Sequence, residues 1–343
     1  MNFEDKFRRR ILYSHILRGE RGMTLTAYLT RRFPRFDADG WTAQIRNGKV
    51  QVNSLPAEPE TALREHDCVA FFPEPASEPE ADLHFRTLYE DEALLVFEKS
   101  GNLCVHPTGP FYRHTLWYQA GLKYGEIRFV NRLDRETSGL LVAARTPEAA
   151  AAMCATAMKK EYLALVFGDF AHSVRARGRL VHDVASAVPK KKRFLPGDFS
   201  VDDPDSADTE LIPLRRFGKD MTLIRAIPHT GRQHQIRATL LSLGFPLAGD
   251  KLYGPDERIF LKIRSRSISD ADRALLRLPT QALHSERLEF RHPFSGKRIR
   301  CESPMPETWK NRKQFSNNSC LTGFSQFKCN FFRRILIFFP FPC

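Results

Sequence analysis

The chain contains no C-x-x-C pair. Its 7 cysteines, at positions 68, 104, 154, 301, 320, 329 and 343, are scattered, which argues against a zinc ribbon or a dithiol redox couple. Neither G-x-x-x-x-G-K-[ST] nor G-x-G-x-x-G occurs, so nothing points to a bound nucleoside triphosphate or dinucleotide. No apolar run reaches the roughly 20 residues needed to cross a bilayer. The opening MNFEDKFRRRIL lacks the apolar stretch and small-residue cleavage site of a secretory signal. These absences together lead us to expect a cytoplasmic protein with reduced thiols and no membrane association. Acidic residues are also in deficit. Against 40 Asp and Glu stand 53 Lys and Arg, for a formal net charge of +13. That excess favours a polyanionic partner, because basic groups that neutralise phosphates release counterions. A merely soluble basic protein is the alternative that charge alone leaves open.

What is present supports a large unit and a small one, built on an apolar fraction of 42% in 343 residues. Residues 73–82, PEPASEPEAD, carry prolines and acids but no large apolar side chain, and read as an extended, solvated linker. Before it, residues 1–22 are taken as an N-terminal extension and 23–72 as a small domain. In that domain Leu25, Tyr28, Leu29 and Phe33 recur at helical spacing, with Arg31 and Arg32 beside them. A second short helix around Trp41–Arg46 stops at Asn47-Gly48. KVQVN, starting at Lys49, and DCVAFF then read as strands.

After the linker, residues 83–308 form the large unit. Leu94–Phe97, Ile127–Val130, Leu140–Ala144, the segment EYLALVFG and Met221–Ile227 read as strands, several of them covered on both faces. Thr146-Pro147-Glu148 opens a helix by capping, and the alanine-rich stretch continues it towards Lys160. Gln233–Leu243 is a second helix, ending at Gly244. Helices and strands mix without regular alternation and no internal repeat is evident, so the fold class expected is α+β. Residues 309–343 are set apart as an atypical tail, expected to be disordered. From Lys313 onward it has no acid, and it closes on FFRRILIFFPFPC. An interaction segment and an out-of-frame extension are both compatible with it.

Three segments carry chemistry. In Asn131-Arg132-Leu133-Asp134-Arg135-Glu136-Thr137-Ser138-Gly139, an acid sits between two arginines in a polar break between strands. Flanking cations favour an ionised carboxylate, as a nucleophile requires; an Asp that merely caps a turn is the structural alternative. In Lys160–Gly168, Tyr162 lies on a covered strand, where its ring could stack on a base and its hydroxyl could handle a proton, or where it could be an ordinary core tyrosine. In His229-Thr230-Gly231-Arg232-Gln233-His234-Gln235-Ile236-Arg237, a strand runs into a helix, whose N-terminus suits phosphate. His234 and Arg237 are three apart and share a face. No third ligand accompanies His229 and His234, so no metal site is expected. The run Lys190-Lys191-Lys192-Arg193 is open between phosphate contact and a solvated loop paired with Asp202, Asp203, Asp205 and Asp208.

These segments resemble the signatures of the RluA family of pseudouridine synthases. The first matches His-Arg-Leu-Asp-x-x-Thr-Ser-Gly at all but its first position, where Asn131 stands for His. The second matches Lys-x-Tyr-x-Ala-x-Val-x-Gly in full. The third matches His-Thr-Gly-Arg-Thr-His-Gln-[IL]-Arg except at Gln233. Gly249-Asp250-Lys251-Leu252-Tyr253-Gly254, Ala282–Ser285 and Phe290–Pro293 follow in the family's order and are taken as mostly structural, with His106, His284 and His292 as scaffold. Lys99-Ser100-Gly101 departs from the family's Lys-Pro-x-Gly. The resemblance spans about residues 83–305. It implies a mixed, mostly antiparallel bent sheet with flanking helices and a central cleft. It also implies an isomerase that converts uridine to pseudouridine in structured RNA without a cofactor. By the same carry-over Asp134 is the nucleophile, Tyr162 stacks on the base and helps remove its proton, and Arg237, with Arg232 as second choice, pairs with Asp134. Arg132, Arg232 and His234 are expected at the RNA. The small domain resembles the αL RNA-binding domain through Leu25, Tyr28, Leu29, Ile45, Gly48, Val50, Val52 and Asn53, which adds Arg31, Arg32 and Lys49 as RNA contacts. An αL domain ahead of such a unit favours ribosomal over transfer RNA, and a monomer is expected. A non-catalytic RNA-binding or assembly factor on the same fold is the rival reading. A zinc deaminase is disfavoured by the missing P-C-x-x-C, and a carboxylate-pair glycosidase by the lack of a well-placed second acid.

Overall fold

The computed structural model describes residues 10–74, 77–200 and 203–310. The chain divides into two compact units: Met1–Pro79 with Thr108–Arg113, and Glu80–Pro107 with the chain from His114 onward. The division falls inside the expected linker, and a short stretch from far along the sequence joins the first unit. Asp202 of the acidic loop and residues 311–343 of the expected tail lie outside the described residues; Trp309, assigned to that tail, is instead buried in the core of the second unit.

In the first unit, β1 (Leu12–His15), β2 (Val50–Val52), β3 (Leu55–Pro56) and β4 (Cys68–Phe71) form a sheet in the order β1-β4-β2-β3. Helices α1 (Leu25–Arg32) and α2 (Ala38–Arg46) start on side-chain caps, Thr24 accepting from the Ala27 amide and Asp37 from the Gly40 amide. Leu25, Tyr28, Leu29, Trp41, Ile45 and Val50 make a common core between helices and sheet. One expectation needs correction. Residues 12–15, set aside as an extension, are a strand antiparallel to β4, and Ile16 after them is buried. Most of β1 is exposed on both sides, so it carries no alternation to read. Within the expected linker, the Glu78 carboxylate accepts the Tyr112 and Arg113 amides at 2.8 Å each.

Among the described residues, the second unit has eleven strands: β5 (Phe85–Glu90), β6 (Leu94–Lys99), β7 (Arg128–Phe129), β8 (Ser138–Ala144), β9 (Met158–Phe167), β10 (Val174–His182), β11 (Lys192–Pro196), β12 (Ser206–Phe217), β13 (Met221–Pro228), β14 (Leu283–Arg291) and β15 (Arg298–Glu302). Their order is β11-β10-β12-β13-β9-β14-β8-β6-β5, with β15 on β14 and β7 on β8. Among these, β14 and β8 pair in parallel and the other pairs are antiparallel. Helices α3 (Leu116–Tyr124), α4 (Pro147–Cys154), α5 (Gln235–Ser242), α6 (Arg258–Arg264), α7 (Asp270–Leu276) and α8 (Glu307–Lys310) complete it. The class is α+β, as expected.

Successive residues of a strand point to opposite faces. On β6 and β8, Leu95, Phe97, Leu141 and Ala143 enter one core, while Leu94, Val96, Leu140 and Val142 enter another. Both faces are covered, which is why these strands read as unbroken apolar runs. Helix α4 is capped by Thr146, whose hydroxyl accepts from the Ala149 amide at 3.1 Å. It ends earlier than its alanines suggest. Met158, Lys159 and Lys160 belong to β9, paired with Phe290, Glu289 and Leu288 of β14, so sheet pairing overrides helix propensity there.

Candidate active site

The segment between β7 and β8 is fixed residue by residue. The Asn131 side chain accepts from the Val142 amide at 2.8 Å, so the departure from His leaves a side chain with a clear structural task. Leu133 is in the core. Glu136 accepts from Lys251 Nζ at 2.6 Å and from the Gln281 amide at 3.2 Å. The Thr137 hydroxyl takes the Gln281 side-chain amide at 2.5 Å, and Ser138 Oγ lies 2.8 Å from His284 Nδ1. Beneath the turn, Lys99 is 1% exposed. Its ammonium donates to the carbonyls of Ser100 and Arg135 at 2.9 and 3.1 Å, and burial pushes it down to about 7. With its neighbours anchored, Asp134 is left with its side chain 26% exposed.

Arg237, on the first turn of α5, reaches Asp134 with NH1 at 2.7 Å from Oδ2. Its opposite edge meets a second carboxylate: Nε and NH2 donate to Asp250 Oδ2 and Oδ1 at 2.7 and 2.9 Å. Asp250 is fully buried, and its Oδ1 also accepts the amides of Leu252 and Tyr253 at 2.9 and 2.8 Å. The Tyr253 ring lies under the guanidinium, 4.8 Å from ring centre to Cζ. His234 precedes α5 in a left-handed conformation, φ 59°, so it does not stand one helical turn before Arg237 as the spacing suggests. The left-handed turn brings its Nε2 to 3.8 Å from Asp134 Oδ1 and its Nδ1 to 3.0 Å from the Tyr253 hydroxyl.

Charge follows from this geometry. Burial works to raise Asp134, but the charge and hydrogen bond of Arg237 outweigh it and hold the carboxyl below the ordinary range. Burial, reinforced by Arg237, pushes His234 down to about 4. The imidazole is therefore neutral near pH 7, and Arg237 is the counter-charge. Tyr162 lies on β9 opposite Ser285, 8% exposed. Burial first, and then the charge of Asp134, push its phenol up to about 12, so the hydroxyl keeps its proton at neutral pH.

The remaining expected residues are placed as follows. Arg132 is exposed beside the loop. Arg232 does not reach Asp134; its Nε donates to the Ser206 carbonyl at 3.1 Å, which removes it as second choice for that pairing. His229 is on the surface, 3.9 Å from Glu210. Gln235, buried, ties the turn together through Thr230, the Arg232 amide, and the Asp208 carbonyl. Arg31 faces Glu20, Arg32 is exposed and Lys49 pairs with Glu74, all in the first unit. The basic run splits up, contrary to both readings of it as a block. Lys191 is buried against Glu257 at 2.5 Å, the Lys192 amide donates to the Tyr253 hydroxyl at 2.9 Å, and Lys190 covers the Phe260 ring. Asp203, Asp205 and Asp208 pair instead with Arg175, Arg177 and Arg179 of β10. Histidines 284 and 292 are buried. No group of three metal-ligating side chains occurs among the described residues. Asp250 and Tyr253, read in the sequence as part of a mostly structural turn, and Gln235, quoted within the third segment, were given no role at the site. The one available signal was an acid and a tyrosine fixed between the glycines of a turn.

A carboxylate charged against a guanidinium, with an imidazole nitrogen 3.8 Å away and a protonated phenol on the central strand β9, is an arrangement that can serve as a nucleophile or a base. The model of the RNA pseudouridylate synthase family matches residues 93–242. The ribosomal large subunit pseudouridine synthase D of Xanthomonas campestris pv. campestris is 30% identical over 299 residues, covering 83% of this chain and 86% of that protein. The protein of the same name from Pseudomonas aeruginosa is 30% identical over 305 residues, 85% and 90% of the two chains. The solved structure of human RNA pseudouridylate synthase domain containing 1 matches with a TM-score of 0.51 at 23% identity, over 66% of this chain and 86% of that one; it supports the fold. The chain belongs to the RluA-type RNA pseudouridine synthases, which are isomerases. Among the described residues no helix is long and apolar enough to cross a membrane.

Proposed function

We propose that this enzyme isomerises specific uridines in structured RNA, ribosomal rather than transfer RNA, with Asp134 as the nucleophile. The observation that carries the reading is the Arg237–Asp134 contact of 2.7 Å, which keeps a largely buried carboxylate ionised. The preference for ribosomal RNA is supported by relatives named for the large ribosomal subunit. The target uridine leaves its stack at a cost of roughly a few kcal/mol. Arg132, exposed next to Asp134, holds the opened strand; Arg31, Arg32 and Lys49 grip the RNA from the first unit. Arg232 and His234, expected at the RNA, act there by shaping the turn that carries Arg237.

In the reaction, Asp134 bonds to the nucleoside and the glycosidic C–N bond breaks, its electron pair passing to the uracil. The base turns, C5 bonds to C1′, Asp134 is released, and the proton on C5 is lost. Tyr162 stacks on the base and, because its phenol is protonated in the free enzyme, takes up the C5 proton only as it hands its own to water. Atoms balance within one nucleotide, so the reaction requires no cofactor.

Asp134→Asn keeps the shape and removes the charge. The variant should bind RNA normally and release no tritium from [5-³H]uridine-labelled RNA in a single-turnover assay. Tritium release at the wild-type rate would sink the assignment, and release by neither protein would favour a non-catalytic RNA-binding factor.

A further inference from the structure

We propose that Asp250 is a positioning residue for the isomerisation, holding Arg237 aimed at Asp134 and keeping it neutralised while Asp134 is bonded to the nucleoside. The inference rests on the reading of Asp134 as nucleophile.

The guanidinium is a planar fork with five N–H donors. One edge, Nε with NH2, is taken side-on by Asp250, and NH1 is left pointing at Asp134. Arg237 is a long side chain with several rotatable bonds. A single contact at its tip would leave its direction unfixed, whereas the bidentate clamp on the opposite edge sets both position and plane. The clamp is itself fixed. Asp250 has no exposure, and two backbone amides from its own turn hold Oδ1. That turn permits no drift: Gly249 has φ +72° with the Thr280 carbonyl where a side chain would begin, and a side chain at Gly254 would strike the Asp250 carbonyl. Tyr253 closes the third side through its ring beneath the guanidinium.

The charge argument is separate from the geometric one. Asp134 is anionic at the start and loses its charge while it is esterified or otherwise bonded to the nucleoside. In that interval Arg237, with 9% of its side chain exposed, would be a buried cation without a partner, a costly state. Asp250 supplies the second counter-charge, so Arg237 stays satisfied before, during and after the covalent stage. Asp250 also limits how strongly Arg237 depresses Asp134, since its own negative charge works to raise it.

A double-mutant cycle tests this. Single-turnover rate constants and RNA dissociation constants are measured for the wild type, Asp250→Asn, Arg237→Gln and the double variant, with melting temperatures alongside. Asn keeps Oδ1 for the turn amides and for NH2, but puts an amide nitrogen in place of the Oδ2 that accepts from Nε, so the bidentate clamp and its negative charge are lost. Asp250→Asn should slow the single-turnover step by ~10-fold or more, as misplacement of a catalytic partner does, with RNA affinity unchanged. In the Arg237→Gln background the same substitution should add less than ~3-fold, because residues acting through one another are strongly non-additive. A wild-type rate in Asp250→Asn, or an equal loss in both backgrounds, would overturn the proposal and leave Asp250 as a turn residue. Should Asp250→Asn not fold, Asp250→Ser, whose hydroxyl can still cap the turn, enters the same cycle. If Asp134→Asn turns over, the nucleophile reading fails; if it is dead and the cycle is additive, only the role of Asp250 fails.

Discussion

Asp134 stays ionised because one guanidinium opposes the effect of its burial. Removing that guanidinium has a signed consequence. In Arg237→Gln, burial and the charge of Asp250 lose their main opponent, leaving only His234 to lower the carboxyl, which titrates at higher pH. Between pH 8 and 5 the wild-type single-turnover rate should be flat on its acid side, while the variant loses activity as pH falls, by ~10-fold or more at pH 5. A flat profile in the variant would show that something else holds the charge. His234 adds a stability effect. Its folded value, about 4, lies below the ordinary 6.5, so between those values the unfolded chain takes up a proton that the native ring refuses. Stability should decline as pH drops through that window, and denaturant unfolding of His234→Gln should show a shallower decline. At this scale the sequence was informative where residues sit in contiguous motifs. Asp134 and Arg237 are 103 positions apart, yet each is marked by its own segment. Asp250 is only 13 positions from Arg237, but no spacing rule says that a turn residue faces a helix residue, and its role was illegible for that reason.

Elements were legible where local chemistry decides them and obscure where pairing does. The start of α4 follows from a hydroxyl cap and a proline, and Thr146→Ala should cost about 1 kcal/mol in denaturant unfolding. Its end follows from β14, which claims Met158–Lys160 for the sheet. Strand β1 was missed because edge position and exposure erase the alternating pattern. The turn holding Asp250 makes a harsher case than a cap. At Gly249 an added methyl group would overlap the Thr280 carbonyl, on a backbone with φ +72°. Gly249→Ala should therefore lose more stability than Thr146→Ala and more activity than its melting temperature alone explains, because the displaced residue is Asp250. Equal activity in folded Gly249→Ala would argue that the turn need not be exact.

For the molecule as a whole, the formal charge of +13 speaks to association rather than to fold. RNA affinity should fall linearly on a log–log plot against salt. Neutralising Arg31, Arg32 and Lys49 together should flatten that slope by about 2, at roughly 0.7–0.9 for each phosphate no longer neutralised. The single-turnover rate at saturating protein should not change. An unaltered slope would remove those three residues from the interface.

The strand order has a further consequence, for biosynthesis. The parallel seam joins β8 to β14, and the clamp on Arg237 comes from residue 250, so the carboxylate proposed as nucleophile, its counter-ion and the counter-ion's anchor are translated far apart in time. A growing chain that has emerged only as far as the first motif owns an acid but no means of burying it charged. Such late assembly is the kinetic signature of a fold rich in long-range pairings. It would leave the enzyme unable to isomerise uridine until nearly the whole sheet has closed, a built-in delay for a protein made on a particle that is itself largely RNA.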